Sequence, residues 1–289
     1  EWNTLKEIFG YSFFVFLAVI VDQINWNTDQ FIIGLFLGTV PIAVYAIAMQ
    51  FVRLYIQFST AISGLLLPRA SMMVANDASS EELTNFFTKY GRIQYFVLAF
   101  ILSGFILVGR PFIQLWAGDN YTNAYYILLI LLIPLTIPLI QNAGISILYA
   151  SNLQAFRSMV LIIIAILNVI ISIPMVKLYG GIGAAIATSF SLVLGNVIIM
   201  NIYYHRRVGI NIPYFWKNII WISIPMLFAL LLGFMVNILI PLNSPFFIFI
   251  KIVIFTIIYP IIMWNFAMHH NEKLIFISML RRVSKLFNF

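Results

Sequence analysis

The amino-acid sequence predicts an all-α fold, a polytopic bundle of about eight transmembrane helices. The first reason is composition, because 63% of the 289 residues are hydrophobic and only 9% are charged, whereas soluble domains carry about 25% charged residues. A soluble fold must present polar groups to water and cannot cover so much apolar surface. The second reason is that the apolar runs are long and continuous, unlike the alternating segments of about ten residues in membrane β-barrels.

Eight segments are long enough to cross a bilayer, whose apolar core of about 30 Å needs about 20 helical residues. Turn-forming residues separate them, for example at Gly38-Thr39-Val40-Pro41 and at Gly180-Gly181. The predicted spans are 8–36, 41–67, 84–109, 122–149, 155–177, 181–204, 216–240 and 246–268.

The Lys and Arg residues predict the orientation of the bundle. If the first residues are on the inner side, twelve of the sixteen basic residues share that side. Arg110, Lys177 and Lys251 are on the other side, and Arg53 lies within a span. Because cytoplasmic loops carry an excess of Lys and Arg, both ends are predicted to be cytoplasmic. We expect a multi-pass protein of a bacterial inner membrane.

The spans divide the chain into three predicted parts. Residues 1–210 form a lobe of six spans, and residues 211–270 add two more. Residues 271–289 carry basic residues among apolar ones, which predicts an amphipathic helical tail on the cytoplasmic leaflet; a disordered tail is the alternative. The chain begins at Glu1 rather than Met, and we expect it to be part of a longer protein.

Polar residues inside the spans are the candidates for a functional site, because an ionisable group at the bilayer centre costs about 2.5–3.5 kcal/mol. On each of the first two spans they recur at spacings of three and four, which places them on one helix face. These residues are Asp22, Asn25 and Asp29 on the first span and Gln50, Arg53 and Gln57 on the second.

The two polar stripes have two interpretations. Asp22 and Arg53 are each about 21 Å from the inner end of their span, so an ion pair between them would hold the helices together. The other interpretation, which we favour, is a hydrated cavity lined by both stripes, because Asn25, Gln50 and Gln57 continue the stripes beyond any pair. Such a cavity is typical of a pathway for a substrate or an ion.

The fourth span contains Pro134 and Pro138, and each proline removes a backbone hydrogen bond. In a membrane the freed carbonyl needs another partner or cavity water. The prolines therefore predict a hinge between conformations or a static kink, and the sequence leaves both open. The sixth span opens with small residues from Gly181 to Ser189, which predict close helix packing.

Several chemistries have no support in the sequence. It contains no cysteine and only three scattered histidines, so we expect no metal centre and no cofactor. The net charge of +7 follows from the membrane topology, since no dense basic patch indicates a nucleic-acid partner. There is no Ser/His/Asp set, no phosphate-binding glycine loop and no large loop between spans, so we do not expect an enzyme.

Four motifs carry a resemblance to a known family over roughly residues 5–210. They are the stretch from Asp29 to Gly38 followed by Val44-Tyr45-Ala46, then Leu67-Pro68-Arg69-Ala70-Ser71, then Gly118-Asp119-Asn120-Tyr121, and last the stretch from Gly180 to Thr188. In this order and spacing they resemble the polysaccharide flippases of the multidrug/oligosaccharidyl-lipid/polysaccharide exporter superfamily, in their C-terminal lobe.

This resemblance implies two helical lobes that rock between inward-open and outward-open states around a central cavity. The implied substrate is an oligosaccharide on a polyprenyl pyrophosphate, moved from the inner to the outer leaflet, and Arg53 would suit its pyrophosphate. The implied partners are this substrate, membrane lipids and an N-terminal lobe that is absent from the chain. Asp22 and Asp29 leave coupling to a cation open, H⁺ or Na⁺.

Two other functions remain as alternatives at the level of sequence. A multidrug or small-cation exporter would have the same fold, and the charges on the stripes do not decide between the two substrates. A membrane polysaccharide polymerase or glycosyltransferase would need catalytic groups in a sizeable surface loop, which is not evident. The sugar, the lipid carrier and the oligomeric state cannot be predicted from the sequence.

Overall fold

The computed structural model describes residues 27–241, 244–270, 272–274 and 276–277, and every regular element in these ranges is helical. The all-α prediction is confirmed. A 3₁₀ turn at Asp119–Tyr121 precedes the fifth helix, and π-helical turns at Val193–Ile199 and Tyr204–Val208 flank the eighth. In chain order the helices are α1 (27–37), α2 (Thr39–Ser63), α3 (Leu66–Ala75), α4 (Ser80–Ala117), α5 (Asn123–Ile140), α6 (Asn142–Ala150), α7 (Gln154–Leu192), α8 (Met200–Tyr203), α9 (Ile212–Leu239) and α10 (Pro245–Phe266).

In the described part of the chain, six helical runs are long and apolar enough to cross a membrane. One of them, Gln154–Val208, contains two predicted spans, because α7 reverses direction at Gly180. The prediction of about eight spans is therefore confirmed in that approximate form. The first predicted span, 8–36, is described only from residue 27 onward.

The reversal in α7 produces a helical hairpin, with an N-terminal arm before Gly180 and a C-terminal arm after it. Gly180 has φ 63° and ψ −141°, a conformation essentially restricted to glycine. The arms approach so closely that a Cβ atom at Gly183 would lie 2.0 Å from the carbonyl oxygen of Met175. Farther from the bend, the Thr188 hydroxyl oxygen lies 3.2 Å from the Asn168 side-chain oxygen. The predicted close packing of the small residues after the bend is confirmed.

Local sequence determines where the longer helices begin. At the start of α4, the Ser79 hydroxyl accepts from the Glu82 backbone N–H at 3.3 Å, and the Glu82 carboxylate accepts from the Ser79 backbone N–H at 2.8 Å. This reciprocal capping box satisfies two amides that the helix leaves unpaired. The Asn211 side chain caps α9 by accepting from the Tyr214 backbone N–H at 3.1 Å. Helix α10 begins with Pro245, where a missing N–H has no cost.

The buried apolar side chains form two clusters, and α4, a helix of 38 residues, contributes to both. The larger cluster packs α4 with α2, α5, α6 and α7 around large side chains such as Tyr45, Tyr55 and Phe87. The smaller cluster packs α4 with α9 and α10 through residues such as Phe96 and Phe255. The last two spans are thus attached to the rest of the bundle mainly along α4.

The predicted division into residues 1–210 and 211–270 stays a prediction. The first turns of α9, which begin the second predicted part, also pack into the larger cluster. The predicted tail at 271–289 lies mostly outside the described residues.

A buried ion pair joins the segment after α10 to α4. Arg92, one of the basic residues predicted on the inner side, is 4% exposed, and its partner Glu272 is 3% exposed. Two N–H groups of the guanidinium donate to the carboxylate at 2.5 and 2.9 Å. The guanidinium also donates to the Ala267 carbonyl oxygen at 2.9 Å, and the His269 backbone N–H donates to the carboxylate at 2.8 Å. Such complete hydrogen bonding offsets the cost of removing both charges from water.

We expect Gly183→Ala to destabilise the protein, because the added methyl group meets the Met175 backbone, which cannot move without shifting a helix. Overpacking costs about 1–3 kcal/mol, so the midpoint of thermal unfolding in detergent should fall by roughly 2–10 °C. The matched control is Gly104→Ala in α4, where a Cβ would meet nothing within 4 Å and alanine favours the helix. Equal midpoints for the two variants would contradict the close approach of the hairpin arms.

Candidate functional site

The predicted pathway residues occupy two different environments. Asp22 and Asn25 lie outside the described residues. Asp29 is buried, with 6% of its surface exposed, whereas the three polar residues predicted on the second span are exposed along α2. A single cavity lined by both predicted stripes stays a prediction, and among the described residues Asp29 and the α2 stripe lie in different environments.

Asp29 accepts hydrogen bonds from four side chains. The Tyr45 and Thr188 hydroxyls donate to its Oδ2 at 2.7 and 2.5 Å. The Ser172 hydroxyl and the Asn168 amide nitrogen approach Oδ1 at 3.2 and 3.4 Å. Among the described residues no basic side chain forms an ion pair with this carboxylate. The cost of removing its charge from water is therefore offset by neutral dipoles.

Three of these donors lie on the α7 hairpin. Asn168 and Ser172 are four residues apart on the N-terminal arm and so share a face, and the reversal at Gly180 brings Thr188 opposite them. The Ser172 and Thr188 hydroxyls also contact the Asn168 side-chain oxygen, at 2.9 and 3.2 Å. These residues were not predicted from the sequence. The sequence signal that could have identified them is the pair Asn168 and Ser172, two polar residues at i and i+4 inside an otherwise apolar span.

The oxygen atoms around Asp29 form a compact set of hard donors. The carboxylate of Asp29, the amide oxygen of Asn168 and the hydroxyls of Tyr45, Ser172 and Thr188 are linked by hydrogen bonds. Such oxygens suit hard cations rather than the metals that prefer imidazole or thiolate. A carboxylate in this position can also exchange a proton.

A cavity of about 270 Å³ adjoins the Asp29 cluster between α2, α5, α6 and the residues from α7 to Asn196. Its volume is sufficient for several water molecules, each of which occupies about 30 Å³ in the liquid. Polar side chains lie at both ends, with apolar residues between them. The polar lining residues are Asp29, Tyr45, Asn142, Arg157, Asn168, Thr188, Ser191 and Asn196.

The polar stripe of α2 lies on a different face from the residues that contact Asp29. Gln50, Arg53 and Gln57 are exposed, whereas Tyr45 and Met49 are buried against the core. Within the described residues, no carboxylate lies within ion-pair distance of the Arg53 guanidinium. A charge at membrane depth is very costly against lipid. The exposed stripe therefore requires contact with water or with another polar surface.

A second, apolar cavity lies beside this stripe. It has a volume of about 340 Å³ and is lined by residues of α2, α4, α9 and α10. Leu54 and Phe58 of α2 line it, and each directly follows a residue of the stripe, Arg53 and Gln57 respectively. A cationic polar face and an apolar cavity thus adjoin each other along one helix.

The two prolines of the fourth predicted span lie in α5, which ends at Ile140. Pro134 cannot bond the carbonyl of Ile130, four residues earlier, and the Ser189 hydroxyl donates to that oxygen at 2.7 Å instead. Just after Pro138 the helix is interrupted at Gln141, and α6 follows. The carbonyl that Pro134 leaves free therefore has a specific partner, and the choice between a hinge and a static kink at the two prolines stays a prediction.

A double-mutant cycle should test the role of Ser189. We expect Ser189→Ala to lower the free energy of unfolding by about 1–2 kcal/mol, because the carbonyl of the half-buried Ile130 loses its donor. In a Pro134→Ala background the backbone N–H returns to that carbonyl, so the same substitution should cost much less. Ser158→Ala, whose exposed hydroxyl bonds only its own helix, should be near neutral. Equal costs in both backgrounds, measured by denaturation in detergent, would refute the compensation.

Comparison with known proteins supports the resemblance drawn from the motifs. A family model described as "Polysaccharide biosynthesis protein" matches residues 1–126. The chain is 22% identical over 264 residues to the "Probable low-salt glycan biosynthesis flippase Agl15" of Haloferax volcanii, covering 90% of this chain and 54% of that protein. It is 25% identical over 175 residues to the "Probable flippase AglR" of the same organism, covering 59% of this chain and 36% of that protein.

The fold is also found among solved structures. "Lipid II flippase MurJ, inward closed conformation" superposes with a TM-score of 0.70 at 20% identity, over 86% of this chain and 52% of that one. The chain thus spans about half the length of the first relative and of this structure. The sequence resemblance is confirmed: the chain is similar to two probable flippases, one of them of glycan biosynthesis, and has the helical fold of about half of MurJ.

Proposed function

We propose that the chain is one half of a flippase that moves a lipid-linked oligosaccharide from the inner to the outer leaflet by alternating access. The observation that carries the proposal is the exposed stripe of Gln50, Arg53 and Gln57 on α2. An exposed guanidinium at membrane depth is tolerable beside a hydrated central cavity and very costly in lipid. The similarity to two probable flippases of Haloferax volcanii supports this interpretation.

The implied partner is the remainder of the same protein. Because the chain covers 54% of the first relative, a first lobe of similar size would face the exposed α2 stripe and close the cavity. The proposal is transport rather than catalysis, and the named relatives favour it over a drug exporter or a polysaccharide polymerase.

The proposed substrate is an oligosaccharide on a polyprenyl pyrophosphate. Arg53 would hold the pyrophosphate by charge-assisted hydrogen bonds, which guanidinium groups form in pairs. The neighbouring apolar cavity of about 340 Å³ suits part of the isoprenoid chain. Because Leu54 and Phe58 connect the two surfaces, one substrate molecule would occupy both.

The Asp29 cluster would bind the cation that drives transport. Its five side chains supply one negative charge and only neutral oxygen ligands, which suits a single H⁺ or Na⁺ better than a divalent ion. Tyr45 on α2, together with Asn168, Ser172 and Thr188 on the two arms of α7, would sense whether the cation is present, since each bonds Asp29 directly or through a neighbour.

The proposed location is the cytoplasmic membrane, which is the inner membrane in a bacterium. The basic end of the bundle would face the cytoplasm, as the excess of Lys and Arg there indicates. Both ends of the chain would then be cytoplasmic.

We expect Arg53→Ala to stop flipping without impairing membrane insertion. Loss of hydrogen bonds to a charged group costs about 1.5–3 kcal/mol, or roughly a 10- to 100-fold reduction in transport. The measurement is accumulation of the lipid-linked oligosaccharide in the inner leaflet of cells that carry only the variant. Arg207→Ala removes an exposed arginine at the basic end and should transport normally. Normal transport by Arg53→Ala would remove Arg53 from the mechanism.

We expect Asp29→Asn to remove the dependence of flipping on an ion gradient, since the amide keeps the shape of the carboxylate but not its charge. Flipping is measured in proteoliposomes under a Na⁺ gradient or a pH gradient, and the gradient that stimulates the wild type identifies the ion. Asp77→Asn, in an exposed turn with φ 52° that asparagine tolerates, is the matched control. An unchanged gradient dependence in Asp29→Asn would place ion coupling elsewhere while leaving the flippase proposal intact.

A further inference from the structure

The cavity beside Asp29 extends along the N-terminal arm of α7 toward the basic end of the bundle. Four of its lining residues recur on one face of that arm: Arg157, Leu161, Ile164 and Asn168. The last lies eleven positions after the first, which corresponds to about 16 Å along a helix. Asn168 contacts Asp29, so Arg157 marks the opposite end of the cavity.

Burial changes along the cavity. The side chains that line the cavity near Asp29 are nearly inaccessible to solvent. Met49 is 5% exposed, Val52 2% and Leu131 3%. At the other end the lining residues Asn142 and Arg157 are only half-buried. Among the described residues, the cavity is therefore closed near Asp29 and more open near Arg157.

The open end carries the positive charge of Arg157. No carboxylate in the described part of the chain lies within ion-pair distance of Arg157. The other polar groups there, Asn142 and Asn196, are neutral and offer hydrogen bonds to water. A single fixed charge at the mouth of a narrow, low-dielectric cavity raises the local concentration of anions and lowers that of cations.

We propose that this cavity is a water-filled route from the cytoplasmic side toward Asp29, and that Arg157 at its mouth selects against cations. Apolar side chains line the cavity between Asn142 and Asn168, and the guanidinium reduces the number of cations that enter it. This inference deepens the proposed function. If Asp29 binds the coupling cation, Arg157 disfavours loading from the cytoplasm and favours loading from the outer side.

The test uses single cysteines, because the chain contains none of its own. Asn196→Cys, and separately Asn142→Cys, is reacted with membrane-impermeant methanethiosulfonates of opposite charge, in inside-out and right-side-out vesicles. We expect labelling from the cytoplasmic side only, with the anionic reagent favoured relative to its reaction with free cysteine. Arg157→Gln should raise the ratio of cationic to anionic rates by roughly five- to tenfold, whereas Arg157→Lys should preserve it.

Two matched controls accompany the experiment. Arg206→Gln removes the same charge from an exposed residue at the same end of the bundle that does not line the cavity, and should leave the ratio unchanged. Ile163→Cys lies on the exposed apolar side of the same arm and should not react, since thiolates do not form in lipid. The proposal would be overturned by labelling from the outer side, by no labelling at either reporter, or by a ratio that Arg157→Gln does not change.

The labelling measures access and charge without transport, so its failure would leave the flippase and the cation site of Asp29 untouched. Conversely, both reporters could be labelled as expected while flipping does not depend on an ion gradient. That result would support the route and refute the coupling role of Asp29.

Discussion

The carboxylate of Asp29 imposes the strictest requirement on this fold. A charge at this depth needs several hydrogen-bond donors, and here they come from α2 and from both arms of the α7 hairpin. Those donors converge only because Gly180 allows the chain to reverse without a loop and Gly183 allows the arms to touch. The hydrogen bonding of the Asp29 carboxylate thus depends on the backbone geometry at Gly180 and Gly183.

Three arginines of the bundle are accommodated in three different ways. Arg92 is buried and paired with Glu272, where it attaches the last helices to α4. Arg53 is exposed on α2 without a carboxylate partner in the described ranges, which is consistent with the anionic ligand proposed for it. Arg157 is half-buried at the end of an internal cavity. Equal formal charge therefore occurs in three different surroundings, and these are the basis of the substrate-binding role proposed for Arg53 and the selective role proposed for Arg157.

Much of the fold was predictable because hydrophobic length and turn residues determine helices in a membrane directly. The spans, the break at Gly180 and the exposed α2 stripe follow from patterns within one segment. The partners of Asp29 did not, since Asn168 and Thr188 lie 139 and 159 residues away in sequence and meet it only through tertiary packing. For the same reason the burial of Arg92 was missed: Glu272, 180 residues later, determines its environment. Periodicity predicts a face, but it cannot predict what that face contacts.

The length of α4 has a mechanical consequence. At about 1.5 Å per residue, its 38 residues extend about 57 Å, nearly twice the thickness of a bilayer's apolar core. The helix must therefore lean within the membrane or protrude from it. Because both apolar clusters pack on α4, a change in its inclination would displace the two groups of helices relative to each other. The apolar cavity between them would widen or narrow in the same movement, which links lipid contact to the overall shape of the lobe.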